Sequence, residues 1–246
     1  MKPRSRPPVR PFALRLVMLI LGLAAVTVHA GPAVVIIRTP AGVALPVAVV
    51  SLLSEWRQSG RVAKLLLLTD GRSEKPERTA GFGALAVLEF SDEEAAGRWQ
   101  RDAAPALPSG LTVRRADVLA HGEVTPRDPR HAAFVVNTYT PLVPAARFAE
   151  YVAGYVQPLY EAMRDTGNLV CYTVYLERGD TGRVDALNVL EYCDQAAIAA
   201  MGMLKTSIRK KVAAATPSYA HFDKIKDTLR LDGSGTLATG TELPPP

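Results

Sequence analysis

The stretch VLEFSD, residues 87–92, returns as VLEYCD, residues 189–194, 102 positions further along the chain. A repeat on this scale constrains the fold more than composition does, because each copy of a supersecondary unit must find cover for the same faces. The order of elements around the two motifs recurs too. The first copy reads as a strand over 33–39, a helix from Pro46 to about Gln58, a strand over 61–69, a long loop, a strand over 83–90, a helix over 93–104 and a strand over 111–124. The second reads as a strand over 132–140, a helix from Pro144 to about Asp165, a strand over 168–177, a turn at RGDTGR, and a strand over 185–192. Helical segments from Gln195 onward and a closing strand, TLATGTEL, complete it. Strands rest on alternation and β-branched content, helices on the 3.6-residue period.

Landmark spacings agree with duplication. Pro46 and Pro144, each at a helix start, are 98 apart, and Gly60 and Gly167, each suited to a helix C-cap, are 107 apart. The first helix of the second copy is therefore nine residues longer. Phe148, Val152, Tyr155 and Leu159 line one of its faces, and Pro158 predicts a kink. The longer loop DGRSEKPERTA returns five residues to the first copy. Strand-helix-strand-strand-helix-strand is the ferredoxin-like unit, with helices on one sheet face. In the strand ending at Phe90, Ala84, Ala86, Leu88 and Phe90 share one face while Leu85 and Val87 share the other. A strand apolar on both faces is covered on both. The expected fold is α+β: two tandem ferredoxin-like repeats, residues 31–128 and 129–246 with a Pro-ending tail, whose sheets pack together as an intramolecular barrel. Such a chain would be a monomer with internal pseudo-twofold symmetry, with higher assembly through its outer helices left open.

The first thirty residues stand apart from this pattern. Lys2, Arg4, Arg6, Arg10 and Arg15 precede the apolar run LVMLILGLAAV, and Val28-His29-Ala30 follows. This is the layout of a secretory signal peptide, with cleavage expected between Ala30 and Gly31 and a periplasmic or secreted product. An eleven-residue apolar run is short for a bilayer span, so no stable membrane anchor is expected after cleavage. Cleavage also changes the charge. Of 29 Lys and Arg, five lie in the leader, leaving 24 against 24 Asp and Glu. A nucleic-acid partner would want a basic surplus, and the mature chain has none. The clusters KTSIRKK (205–211) and KIKDTLR (224–230) read as solvated helix faces, with an anion site as the sharper alternative.

Catalytic constellations are sparse. Beyond the leader there are three histidines, at 121, 131 and 221, without paired metal-ligand spacing, so no metal site is expected. The Gly-x-Gly within Asp232-Gly233-Ser234-Gly235 lacks a third glycine and reads as a turn. Ser91 with Glu94 has the capping-box pattern, and Asp194 can cap the corresponding second helix. Glu89 and Glu191 differ from these caps. By alternation they share the faces of Leu85 and Val87, and of Leu187 and Val189. Desolvation there would raise a carboxyl pKa and suit it to acid or base work. The plainer alternative is a strand-end carboxylate paired with Arg114 or Arg115.

The corner VLEFSDEEAAGRW resembles the strand-to-helix corner of the dimeric α+β barrel superfamily, which includes antibiotic-biosynthesis-type monooxygenases, stress-responsive barrel proteins and haem-handling enzymes. The resemblance implies that the face bearing Glu89 and Glu191 lines a space between the sheets for a small apolar or aromatic ligand. Arg38, His121, Asn137 and Tyr139 are candidate ligand-binding residues in that space. A cofactor-free oxygenase or isomerase is the chemistry the monooxygenase branch implies. No cofactor is expected, and a haem on one histidine rests on the resemblance alone. Two readings stay open: a ligand-binding barrel with Glu89 and Glu191 as acid or base, and a non-catalytic exported module with a filled interior. Finally, Cys171 and Cys193 are the only cysteines. Antiparallel pairing about Gly182 would set them opposite each other, close enough for a disulfide in an oxidising compartment.

Overall fold

A computed structural model describes residues 32–75, 79–125, 131–179 and 185–243. The expected leader, residues 1–30, and most of the RGDTGR turn lie outside them. Eight strands form one closed antiparallel barrel: β1 (Ala33–Arg38), β2 (Lys64–Ser73), β3 (Leu85–Phe90), β4 (Thr112–Glu123), β5 (Ala133–Pro141), β6 (Leu169–Arg178), β7 (Ala186–Tyr192) and β8 (Arg230–Leu243). Around the barrel the order is β1-β3-β2-β8-β5-β7-β6-β4. Within the first four strands this is 4-1-3-2, and within the last four it is 8-5-7-6, the same order. Pairings of β2 with β8 and β4 with β6 close the ring. Every strand thus has two neighbours, and none presents an unpaired edge.

Alternation assigns the faces as the sequence predicts. Val34, Ile36, Leu85, Val87, Phe134, Val136, Leu187 and Val189 meet inside the barrel with Leu68, Phe82 and Tyr175. The intervening residues face outward onto helices. Val35, Ile37, Ala86, Leu88 and Phe90 pack beneath α1 (Val47–Gln58) and α2 (Glu93–Asp102), whose Trp56 and Trp99 meet edge to face at 5.3 Å. Gly60 and Gly167 adopt positive φ at the ends of their helices, as C-cap glycines do.

The last four strands carry more helix. α3 (Ala145–Tyr151) runs through a π-helical turn (Val152–Val156) into α4 (Gln157–Arg164). Pro158 has no N–H for the α-helical ladder, and the widened turn ahead of it absorbs that loss. Gly154 sits in this turn, where a Cβ would come within 2.5 Å of the Phe222 ring. Tyr155 stacks on Tyr219 at 4.5 Å, and Tyr151 meets Phe222 edge-on at 5.8 Å. These rings join the π turn to α6 (Pro217–Leu229), which follows α5 (Gln195–Ala215).

Two local expectations need correction. Asp92, not Ser91, is the N-cap of α2: its carboxylate accepts the Ala95 N–H at 2.7 Å, and Ser91 Oγ donates to that carboxylate. The charged acceptor takes the stronger bond. Asp194 caps α5 through Ala197 N, as expected. Asp232-Gly233-Ser234-Gly235 is strand rather than turn, within a β8 of fourteen residues. Its glycines permit close approach, since a Cβ on Gly233 would lie 2.4 Å from Thr138 Oγ1.

At one end of the barrel Arg38 pairs with Glu177 at 2.7 Å, and Glu177 is buried. Desolvation outweighs the Arg38 attraction and pushes the carboxyl up to about 7. A raised carboxyl pKa means the folded state holds a proton that the unfolded chain releases near 4.5. The stability Glu177 contributes is then full below about pH 4.5 and lost as pH rises through about 7. Thermal melts of the wild type should fall across that interval, and Glu177→Gln should flatten the slope. An unchanged slope in the variant would refute the assignment.

Candidate functional site

Glu89 and Glu191 do face the barrel interior, where they line a hollow with Lys64, Leu66, Val87, Phe134, Cys171, Thr173, Tyr175, Val189 and Glu242. Its volume is about 30 Å³. Roughly 30 Å³ is one water's share of liquid, far below the 300–1,000 Å³ of pockets that take drug-sized ligands. Among the described residues, the expected ligand space between the sheets is therefore filled. Phe82, Phe134 and Tyr175 fill it, together with the aliphatic residues from β1, β3 and β7. Alternation had placed the faces correctly but carries no information on volume. Arg115, one proposed partner of Glu89, pairs instead with Glu93.

The candidate ligand residues divide three ways. Arg38 is inside the barrel but engaged with Glu177. His121 lies at the β4–β6 edge with its Nδ1 2.9 Å from Thr173 Oγ1. Asn137 and Tyr139 occupy neither place. They follow Val135 on the outer face of β5 and point toward the helices, away from Phe134 and Val136. There they line a cleft between the sheet and α4–α5.

That cleft has two chambers sharing Asn137, Tyr139, Lys205, Arg209 and Arg230. The outer one, about 260 Å³, is bordered by Ser73, Glu74, Lys75, Asp232 and Ser234. The inner one, about 70 Å³, is floored by Val156, Leu159, Met163 and Leu190, with Tyr155, Tyr160 and Asn188. Lys75, Lys205, Arg209 and Arg230 meet the carboxylates Glu74 and Asp232 at the mouth, and apolar or phenolic groups line the depth. Lys205 and Arg209 lie four apart on α5 and so share a helix face.

Arg230, the first residue of β8, is the central group. Its guanidinium lies 3.8 Å from the Tyr139 ring centroid, a cation–π geometry. The side chain is 13% exposed and bonds Asp232 at 3.2 Å, while its buried Nε–H has no hydrogen-bond partner. Burial raises the Tyr139 and Tyr160 phenols against the partial opposition of Arg230, so both are protonated at neutral pH. Asn188 donates to the Tyr160 hydroxyl at 2.7 Å. Lys205 retains solvent exposure along its length, yet local desolvation and the Arg209 charge hold its ammonium below the usual range. Neutral phenols and cations in one cleft have the chemistry to stabilise an oxyanion.

Lys205, Arg209, Arg230, Tyr155, Tyr160 and Asn188 were missing from the sequence-based site. A signal existed for the first three. They lie in the basic clusters read as solvated faces, and the i, i+4 spacing of Lys205 and Arg209 could have marked a common direction.

A larger groove of 410 Å³ runs along α2 between Gly60, Arg61, Ser91, Arg98 and Trp99. It contains none of the sequence-selected site residues, and Arg98 is engaged with Glu94.

The expected disulfide is absent: Cys171 and Cys193 are not bonded to each other. A register shift between Leu169 and Cys171 places Cys171 opposite Glu191, two positions from Cys193. Cys171 is buried toward the barrel, whereas Cys193 is exposed with its thiol 3.1 Å from the Gly167 carbonyl. A bulge invisible to spacing arithmetic separates the sulfurs.

By sequence, no family model and no curated protein matches the chain. Its structure is similar to that of a candidate monooxygenase from Fusobacterium nucleatum, with a TM-score of 0.51 and 14% identity over 86% of this chain and 94% of that one. An anthrone oxidase-like protein gives 0.48 and 11% identity, covering 86% and 92%. The haem-bound DypB of Rhodococcus jostii gives 0.42 and 12%, covering 89% and 95%. These neighbours are monooxygenase-like and DyP-type α+β barrel proteins, and at such identities the likeness concerns fold alone.

Proposed function

We propose that this chain binds a small planar aromatic acid in the cleft of Tyr139, Lys205, Arg209 and Arg230. The observation that carries the reading is Arg230: a largely buried guanidinium, stacked on a phenol, with one N–H lacking an acceptor. The guanidinium charge is shared with Asp232 and the Tyr139 face, and a bound carboxylate or phenolate would give its fork a further acceptor. Lys205 and Arg209 add charge at the mouth, and the floor of Leu159, Met163 and Leu190 suits an apolar ring. Turnover, if this protein is an enzyme, would draw on Tyr139 and Tyr160 as hydroxyl donors and needs no metal in the cleft, since the Tyr155 hydroxyl donates to Asp223. The fold it shares with monooxygenase-like barrels is compatible with such a ligand. The alternative, a non-catalytic module, draws its support from the filled barrel. Glu89 and Glu191, considered as acid or base, have no room for an organic substrate beside them.

This reading includes a history for the chain: two tandem ferredoxin-like repeats, 31–128 and 129–246, folded into one self-closing monomer with a pseudo-twofold axis. It also includes export through residues 1–30. N-terminal sequencing of protein recovered from the exported fraction should begin at Gly31, whereas intact protein retained in the cytosol with Met1 would oppose export.

Calorimetric titration with 2-naphthoate and its uncharged methyl ester tests the cleft. The acid should bind at least about tenfold more tightly than the ester, as expected for a charge-assisted bond. Arg230→Met should remove that preference. Equal binding of acid and ester to the wild type, or no binding of either, would overturn the proposal.

A further inference from the structure

At the Glu191 end of the barrel, strand register gathers groups that are far apart in sequence. His121 and Glu123 stand two apart on β4 and share a face. On β6 they are opposed by Thr173 and Cys171, respectively. The His121, Glu123 and Cys171 ligand atoms all lie within 4.8 Å of one another. His121 Nε2 is 3.9 Å from Glu123 Oε2. Ligand atoms of a tetrahedral zinc site, with bonds of 2.0–2.3 Å, are roughly 3.3–3.8 Å apart. Side-chain adjustments of a few tenths of an ångström would bring this pair to that separation.

We propose that His121, Glu123 and Cys171 bind a divalent transition-metal ion of the zinc class. Several features beyond proximity favour this. The Nδ1 edge of His121 meets Thr173 Oγ1 at 2.9 Å, and a bond donated there fixes the tautomer whose Nε2 lone pair faces Glu123. Metal-binding histidines are commonly oriented by such an outer hydrogen bond. All three ligands stand on paired strands, so the backbone ladder sets their spacing. Imidazole and thiolate select zinc-class ions over magnesium or calcium.

The surroundings are acidic. Glu89, Glu191 and Glu242 line the hollow that Cys171 also lines, with Lys64 as the opposing cation, 3.8 Å from Glu242. Glu191 is directly opposite Cys171 on β7. Three protein ligands leave a fourth position for water, a small anion or the Glu191 carboxylate. Binding exchanges the Cys171 thiol proton for the metal: the proton passes to solvent, and no electron is transferred. The spacing rules applied to the sequence could not find this site, because its ligands come from two strands joined by register. No residue of it is shared with the aromatic-acid cleft.

Cobalt(II) titration of the reduced, folded whole chain tests the proposal, because a cobalt–thiolate bond adds a near-ultraviolet charge-transfer band. One equivalent of cobalt should produce that band, and zinc should bleach it. Cys171→Ser should abolish it, whereas Cys193→Ser should leave it intact. His121→Ala, a change at an exposed position, should weaken binding at least about tenfold, and melting curves will show whether each variant is folded. Should Cys171→Ser fail to fold, His121→Ala alone decides. The proposal falls if wild-type protein gives no thiolate band, or if the band and affinity survive His121→Ala.

Discussion

The closure of eight strands into a ring is the constraint on which everything else depends. An open four-stranded sheet with helices on one face leaves a second apolar face and two edges to cover. Here the ladders between β2 and β8 and between β4 and β6 remove the edges, and the inner faces cover one another. Closure has a consequence for chemistry. With Phe134, Tyr175 and their aliphatic neighbours meeting across the interior, the barrel is a core rather than a container. Among the described residues, space for an organic ligand lies outside the ring, between strands and helices.

That displacement explains the unequal halves. In the first four strands, α1 and α2 lie closely over the sheet, with Trp56, Trp99 and Phe90 packed between. In the last four, the long helix with its π turn and the additional α6 are joined to each other by stacked tyrosines. α5 brings Lys205 and Arg209 over β5 and the start of β8, and the cleft opens there. The long helix between β5 and β6, with its π turn, is thus part of the scaffold that borders the cleft.

Alternation in β3 was readable as two covered faces because every position from Leu85 to Leu88 is apolar, whereas in β7 Asn188 interrupts the same pattern between Leu187 and Val189. The positive-φ glycines at 60 and 167 and the cap at Asp194 were equally legible, since each answers a local backbone need. Three things were not. Interior volume depends on how Phe82, Phe134 and Tyr175 interdigitate. The bulge beside Cys171 shifts register without a sequence mark. The destination of the Lys205–Arg209 face depends on tertiary packing. Asn137 and Tyr139 illustrate the limit: their shared face was legible, but which side of the sheet held a cavity was not.

The central claim is that ligand binds outside the ring while the ring itself stays packed. Amide hydrogen exchange with and without saturating 2-naphthoate measures this directly. The account predicts added protection at residues 137–139, 205–209 and 230–235, with β3 and β7 unchanged at 85–90 and 187–191. Protection concentrated in β3 and β7, with the cleft unaffected, would contradict it and return the site to the barrel interior.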